Sequence, residues 1–122
     1  MERYIPVMEQ SLNLMETVME GLHHIYHKLN EGKLEQTFFL FGDVIMAIQT
    51  IQSSLGPMQE MVDFEHDDQL YARIQTALDH AVQGYENRNS GQVLEVLQFA
   101  LIPAIKKWQA GLETAFQKYL IS

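Results

Sequence analysis

The sequence contains no cysteine, and this absence excludes disulfides, thiolate nucleophiles and cysteine-based zinc sites. Basic residues are also scarce: 8 lysines and arginines stand against 16 acids, and the largest basic cluster is the pair Lys106 and Lys107. The net charge of −8 repels a phosphate backbone, so we expect no nucleic acid partner. Residues 1–68 carry 12 of the acids and 3 of the bases. This acidic half favours a basic partner or simply keeps the protein soluble.

A long hydrophobic run is missing as well. The N-terminus has no basic segment followed by an apolar stretch, and the most apolar run, residues 38–48, is interrupted by Gly42 and Asp43. We therefore expect a soluble cytoplasmic protein with no membrane partner. The chain has neither a Gly-x-Ser-x-Gly nucleophile elbow nor a phosphate-binding glycine loop, so we expect no enzyme and no cofactor.

Helical periodicity is what the sequence does contain. Apolar residues recur at three- and four-residue intervals, which predicts a single all-α domain over residues 1–122. In the first predicted helix they form one buried seam that includes Met15, Met19 and Leu22. The second predicted helix has two adjacent apolar stripes, one of which contains Phe38, and is expected to be the most buried. Pro103 is expected to bend the fourth helix. The predicted helices cover about residues 5–29, 33–55, 68–87 and 92–120.

Short connections between these helices predict an antiparallel up-down four-helix bundle. A shift of 57 residues aligns similar positions in the two halves, among them His23 with His80 and Leu40 with Leu97. Two similar helical hairpins would produce this pattern. Amphipathic helices also align with one another easily, so an internal duplication stays open.

Three histidines lie near the end of the first predicted helix, in the stretch GLHHIYHKLNEG. His23 and His27 are one turn apart and could supply two of the three protein ligands of a catalytic zinc site, with His80 as the third. Solvated histidines near a helix C-terminus, where positive charge is favourable, explain the same residues with fewer assumptions. A metal-dependent enzyme or metal-binding bundle that uses these histidines is therefore the alternative functional hypothesis.

Large apolar residues interrupt the polar outer faces of two predicted helices. Phe39 and Met46 fall on the polar stripe of the second helix, and Phe99 and Ile102 on that of the fourth. Such positions suggest a surface covered by another molecule, although a helix that packs against two neighbours would show the same pattern. Asp43 is expected to be a half-buried carboxylate that pairs with a base of this chain or awaits a partner's arginine.

These residues favour a non-catalytic helical-bundle protein that acts as a protein–protein interaction adaptor or chaperone-like module and forms a homodimer. No residue is assigned a catalytic, cofactor-binding or metal-binding role in this hypothesis. Its predicted protein interface consists of Phe39, Asp43, Met46, Phe99 and Ile102.

The stretch VLEVLQFALIPAIKKW, residues 93–108, resembles a pattern in small all-helical proteins of unknown function from Gram-positive bacteria. The stretch NEGKLEQTFFLFGDVIMAIQTI, residues 30–51, is similar to the first hairpin of the same group. The pattern has an acidic residue after its aromatic one, where this chain has Ala100, so no polar role is carried over to that position. The resemblance implies a bacterial cytoplasmic bundle and brings no activity with it. Its matching positions are Val96, Leu97, Phe99, Leu101, Pro103, Ile105 and Trp108.

Overall fold

The computed structural model describes residues 2–64 and 68–121, and these residues are all-helical, with no strand among them. A π-turn, Leu97–Leu101, joins the last two helical segments without a break, so residues 90–120 form one continuous helix, called here the C-terminal helix. The prediction of four long helices is confirmed within the described residues. Their bounds are α1 Ile5–Asn30, α2 Leu34–Leu55, α3 Asp68–Glu86, α4 Ser90–Val96 and α5 Ile102–Leu120, with a 3₁₀ turn at Gly56–Met58.

Helix α1 buries a wider arc than its apolar spacing predicts. Met15 and Leu22 of the predicted seam are fully buried, and a second row of Ser11, Val18 and Ile25 is buried beside them. The second row is needed because α1 packs against two neighbours, α2 on one side and the C-terminal helix on the other.

The turn between α1 and α2 is built around Gly32. Its φ of 77° lies in the left-handed region, and the Lys33 N–H donates to the Lys28 carbonyl at 3.0 Å. This arrangement satisfies carbonyls of the last helical turn and reverses the chain direction. The two helices then approach closely, because a Cβ on Gly21 would lie 3.1 Å from Cγ2 of Val44.

Helix α2 is not the most buried element, so this expectation was wrong. It packs mainly against α1, and its smaller contact with α3 centres on Tyr85, which touches Thr37, Phe38 and Phe41. Phe38, predicted to face inward, is 57% exposed. Two apolar stripes indicate a helix covered from two sides, whereas here one neighbour covers most of it. The buried seam of α2 is Thr37, Phe41, Val44, Ile48, Ile51 and Leu55.

The turn between α3 and α4 brings two backbones close together. A Cβ on Gly84 would lie 2.7 Å from Cγ2 of Val93 and 3.3 Å from its backbone nitrogen. Arg88 has a φ of 52°, and the side chain of Asn89 accepts the Gln92 N–H at 3.0 Å. This N-cap satisfies a backbone donor of the first turn, and the helix therefore starts slightly earlier than predicted.

The C-terminal helix changes its hydrogen-bond pattern just before Pro103. The Ile102 N–H donates to the Leu97 carbonyl, five residues back, rather than to Gln98 in the α-helical pattern. Pro103 has no N–H, so the Phe99 carbonyl has no α-helical donor in any case. The disruption expected here therefore takes the form of a π-turn, while the bend itself stays a prediction.

The π-turn also explains why helical spacing placed Ile102 on the wrong face of the helix. Regular helical spacing puts Ile102 on the outer face, but the side chain is only 9% exposed and belongs to the core with Ile105. A π-turn holds one residue more than an α-helical turn, so it changes the phase of the helix that follows and rotates Ile102 inward.

Candidate interaction surface

The predicted metal ligands lie on helices that do not form a common site. His23 and His27 are exposed on α1, and His80 is exposed on α3. Helix α1 packs against α2 and the C-terminal helix rather than against α3. Within residues 2–64 and 68–121, no three histidine, aspartate or glutamate side chains are arranged to hold a metal ion. The structure therefore does not bring the three histidines together.

Exposed apolar side chains concentrate on α2. Phe39 is 82% exposed, Met46 is 66% exposed and Phe38 is 57% exposed. The outward positions of Phe39 and Met46 agree with their helical spacing, whereas that of Phe38 does not. The other large apolar side chains that are exposed among the described residues are Met61, Phe99 and Ile121.

Phe38 is held in place by aromatic neighbours. Its ring meets that of Phe39 edge to face, with centroids 5.7 Å apart, and that of Tyr85 in the same way at 5.9 Å. Edge-to-face contacts of this kind add to the stability of an aromatic pair beyond the area they bury. Tyr85 is thus the point at which α3 supports the exposed aromatic residues of α2.

Tyr85 also takes part in a buried polar contact that the sequence analysis missed. Its hydroxyl lies 2.8 Å from Oγ1 of Thr37, which itself donates to the Leu34 carbonyl at 2.8 Å. Burial raises the pKa of the Tyr85 hydroxyl above its usual value, and the hydrogen bond with Thr37 lowers it in part. The sequence did carry a signal for this contact, namely a polar residue at a buried position of the helix. Thr37 lies one helical turn before Phe41 and therefore on the same face.

Gly42 and Asp43 lie between the apolar side chains of α2. A Cβ built on Gly42 would have no neighbouring side chain or other helix within 4 Å, so the space over this residue is open. Asp43 is exposed, and the expectation of a half-buried carboxylate was wrong. The reason is the same as for Phe38, because the contact of α3 with α2 is small and centres on Tyr85, so it leaves this side of α2 exposed. We call Phe38, Phe39, Gly42, Asp43 and Met46 the α2 surface.

Four residues of the α2 surface have the spacing of a packing hole. Phe39, Gly42, Asp43 and Met46 stand at positions i, i+3, i+4 and i+7 of one helix, and all four are exposed. Residues with this spacing form the diamond into which a side chain of a facing helix inserts when two helices pack. We call these four residues the Gly42 hole, because the missing Cβ of Gly42 leaves it open.

Phe99 lies on a different part of the protein. It is 71% exposed within the π-turn, beside the exposed residues Gln98 and Ala100. The C-terminal helix packs against α1 and α3, and α2 has no comparable contact with it. Phe99 therefore does not extend the α2 surface, and the predicted interface from two helices does not form one continuous patch.

An open cleft of about 580 Å³ lies near the C-terminal end of α5. Its lining includes Asp63, Thr114, Gln117, Lys118 and Ile121. The charged residues named here are one acid and one base, so the cleft has no strong preference for a ligand of either sign.

The segment Leu34–Met58, which contains α2, is the one described stretch long and apolar enough to cross a membrane. The segment resembles a membrane span by its length and composition only. A helix of a soluble protein with one face in the core has the same properties, and α2 buries such a face against α1.

The described residues thus define an all-helical protein whose exposed apolar side chains concentrate on one helix. The chain belongs to a family described as a domain of unknown function, DUF8042, which matches residues 6–111. The matched range contains the whole α2 surface and the π-turn. No curated protein and no solved structure matches the chain.

Proposed function

We propose that the protein is a non-catalytic helical module that binds another protein through the α2 surface. The observation that carries this proposal is the exposure of two large apolar side chains two turns apart on one long helix, Phe39 at 82% and Met46 at 66%. Covering a Phe or Met side chain is worth about 1.5–3 kcal/mol when it is fully exposed. The two side chains thus offer roughly 2–4 kcal/mol to a partner, before the entropy cost of association.

We also propose that the helices form an antiparallel up-down bundle. Tyr26, near the end of α1, donates to Oε1 of Gln98, near the start of the C-terminal helix, at 3.3 Å. Tyr85, near the end of α3, contacts Thr37, near the start of α2. In both pairs, the end of one helix meets the beginning of another, which favours opposite directions for neighbouring helices.

Contacts at the far ends of the helices support the same arrangement. The Tyr119 hydroxyl, at the end of the C-terminal helix, donates to the Met61 carbonyl at 3.0 Å. The rings of Phe64 and Phe116 pack edge to face with centroids 5.9 Å apart. The segment after α2 is therefore held by the end of the C-terminal helix, as an up-down bundle requires.

The bundle gives the α2 surface its rigidity. A helix held by α1 along its length, and by Tyr85 near its start, presents Phe39 and Met46 at fixed positions without further folding. A preformed surface loses little conformational entropy when a partner binds, and this favours affinity.

A photo-crosslinking amino acid at position 39 or 46 tests the proposal in cells that make the protein. Position 83 is the matched control, because Gln83 is exposed on α3 and does not belong to the α2 surface. We expect discrete protein adducts from positions 39 and 46 and none of the same size from position 83. Equal adduct patterns from all three positions, or none from any, would rule out the α2 surface as a binding site.

A further inference from the structure

We propose that the α2 surface takes one kind of partner, an amphipathic helix of another protein that carries Lys or Arg beside its apolar face. This inference rests on the proposed function and adds the chemistry and the shape of the partner.

The spacing on α2 fits a helix better than an extended chain. The Gly42 hole can receive one side chain of a helix that lies along α2, and Phe39 and Met46 would enclose that side chain from two ends. The pattern continues in both directions along α2. The adjoining holes, whose members are all exposed, are Glu35, Phe38, Phe39, Gly42 on one side and Met46, Gln49, Thr50, Ser53 on the other.

Gly42 opens the Gly42 hole and also the adjoining hole that begins at Glu35, because it is a member of both. Every other residue of these holes has a Cβ that fills part of the space, whereas a Cβ on Gly42 is absent and would meet nothing within 4 Å. A large apolar side chain of the partner, such as Leu or Met, can therefore reach the α2 backbone at this point. Amphipathic helices present such residues at regular helical spacing.

The charge of α2 selects the residues beside that apolar side chain. The helix carries two acids, Glu35 and Asp43, and no lysine or arginine. Glu35 already lies 3.6 Å from the guanidinium of Arg88, so Asp43 is the acid that a partner's base would meet. Asp43 is itself a member of the Gly42 hole and is exposed. A guanidinium or ammonium group on the partner, next to the inserted apolar residue, would form a charge-assisted hydrogen bond with this carboxylate.

The same charges disfavour two other occupants. A second copy of the chain would bring another Asp43 on a helix with no lysine or arginine, so an α2-to-α2 contact would place the two Asp43 carboxylates close to one another. An anionic lipid surface would be repelled by Asp43 and by the net charge of −8. Both occupants are kept as outcomes of the experiment.

The experiment uses two designed peptides of about 20 residues that share one Leu and Met face. One peptide carries Arg and Lys beside that face, and the other carries Glu at the same positions. Binding of each labelled peptide to the full-length protein is measured by fluorescence anisotropy. We expect the basic peptide to bind about tenfold or more tightly than the acidic one and to lose affinity as salt is raised.

Charge and shape are then tested by separate variants. Asp43→Lys should lower the affinity for the basic peptide and raise the affinity for the acidic one. Gly42→Ala should lower the affinity for the basic peptide about tenfold or more, because the new Cβ fills the hole. The same change should raise the melting temperature, because alanine favours the helix. Gly111→Ala is the matched control: its Cβ also meets nothing within 4 Å, and it should raise the melting temperature without weakening the peptide.

The outcomes separate this inference from the proposed function. If both peptides bind equally well and Asp43→Lys changes neither, the basic partner is wrong, but loss of binding in Phe39→Asp would still support the α2 surface. Unchanged peptide affinity in Gly42→Ala would overturn insertion of a helix side chain into the hole. If Phe39→Asp leaves peptide binding intact, the surface itself is wrong.

Two further measurements address the other occupants. A dimer in sedimentation equilibrium that Phe39→Asp abolishes would overturn the inference in favour of a second copy. Flotation with phosphatidylglycerol-containing vesicles that Phe39→Asp abolishes would overturn it in favour of a lipid surface. A monomer that does not float and binds the basic peptide supports the inference.

Discussion

Replacing Gly84 by alanine should destabilise the protein, although alanine is the better helix former. Gly84 lies in α3 at the point where this helix approaches the first turn of α4. The added Cβ would lie 2.7 Å from Cγ2 of Val93, a separation that carbon atoms do not tolerate, and 3.3 Å from the backbone nitrogen of the same residue. Val93 cannot turn away easily, because it is β-branched and fully buried.

The size of the effect follows from two opposing terms. Overpacking of a dense core costs about 1–3 kcal/mol, and a stiff buried neighbour puts this site in the upper part of that range. Alanine in place of glycine inside a helix raises the free energy of unfolding by about 0.5–1 kcal/mol. The net loss in the free energy of unfolding should therefore be about 1–2 kcal/mol, or roughly 4–8 °C in melting temperature for a domain of this size.

Urea unfolding followed by fluorescence of the single tryptophan measures this loss. Trp108 reports on α3 directly, because its ring packs against that of Tyr71 with centroids 5.7 Å apart. The double variant Gly84→Ala with Val93→Ala should lose less stability than the two single changes added together, since the clashing methyl group is gone. A Gly84→Ala protein at least as stable as the wild type would show that α3 and α4 are not this close, and would refute the reasoning.

Two further predictions concern the core. Ile102→Ala should lower the free energy of unfolding by about 2–4 kcal/mol, whereas Phe99→Ala should change it by less than about 1 kcal/mol, because the first side chain is buried and the second exposed; similar losses in urea unfolding would contradict the phase change at the π-turn. Because the pKa of Tyr85 is raised in the folded protein, the unfolded state loses this proton at a lower pH than the folded state does. The contribution of Tyr85 to the free energy of unfolding should therefore be fully present below pH 10 and be lost as the pH rises through the higher folded pKa. Tyr85→Phe should remove this part of the alkaline decline, and an unchanged pH profile of the melting temperature would count against it.

Much of the helical architecture could be predicted from the sequence, since apolar spacing and turn residues are local signals. The end of α1 is an example, because a glycine after a long periodic segment is the residue that a left-handed cap requires, and Gly32 has this conformation. The outward positions of Phe39 and Met46 were also predictable, as spacing alone decides on which side of a regular helix a residue lies.

Spacing does not reveal how many neighbours a helix has or where its phase changes. The pattern of α2 resembles that of a helix covered from two sides, so Phe38 and Asp43 were placed deeper than they lie. The phase of the C-terminal helix changes at the π-turn, and regular spacing carried past that point gave the wrong side for Ile102. The partnership of Thr37 and Tyr85 depends on how two distant helices meet, which periodicity within each helix does not encode.

The methionines of this chain differ sharply in their access to solvent. Met8, Met15 and Met58 are fully shielded by the core, whereas the thioether of Met46 stands in the open beside the Gly42 hole. Peroxide converts an accessible thioether to a polar sulfoxide, and the repair enzymes that reverse this need the same access. Because no thiol competes for the oxidant, oxidation would reach Met46 and the less exposed Met61 while the buried methionines stayed reduced. The sulfur of Met46 is thus an oxidisable atom at the site where we expect the partner to bind.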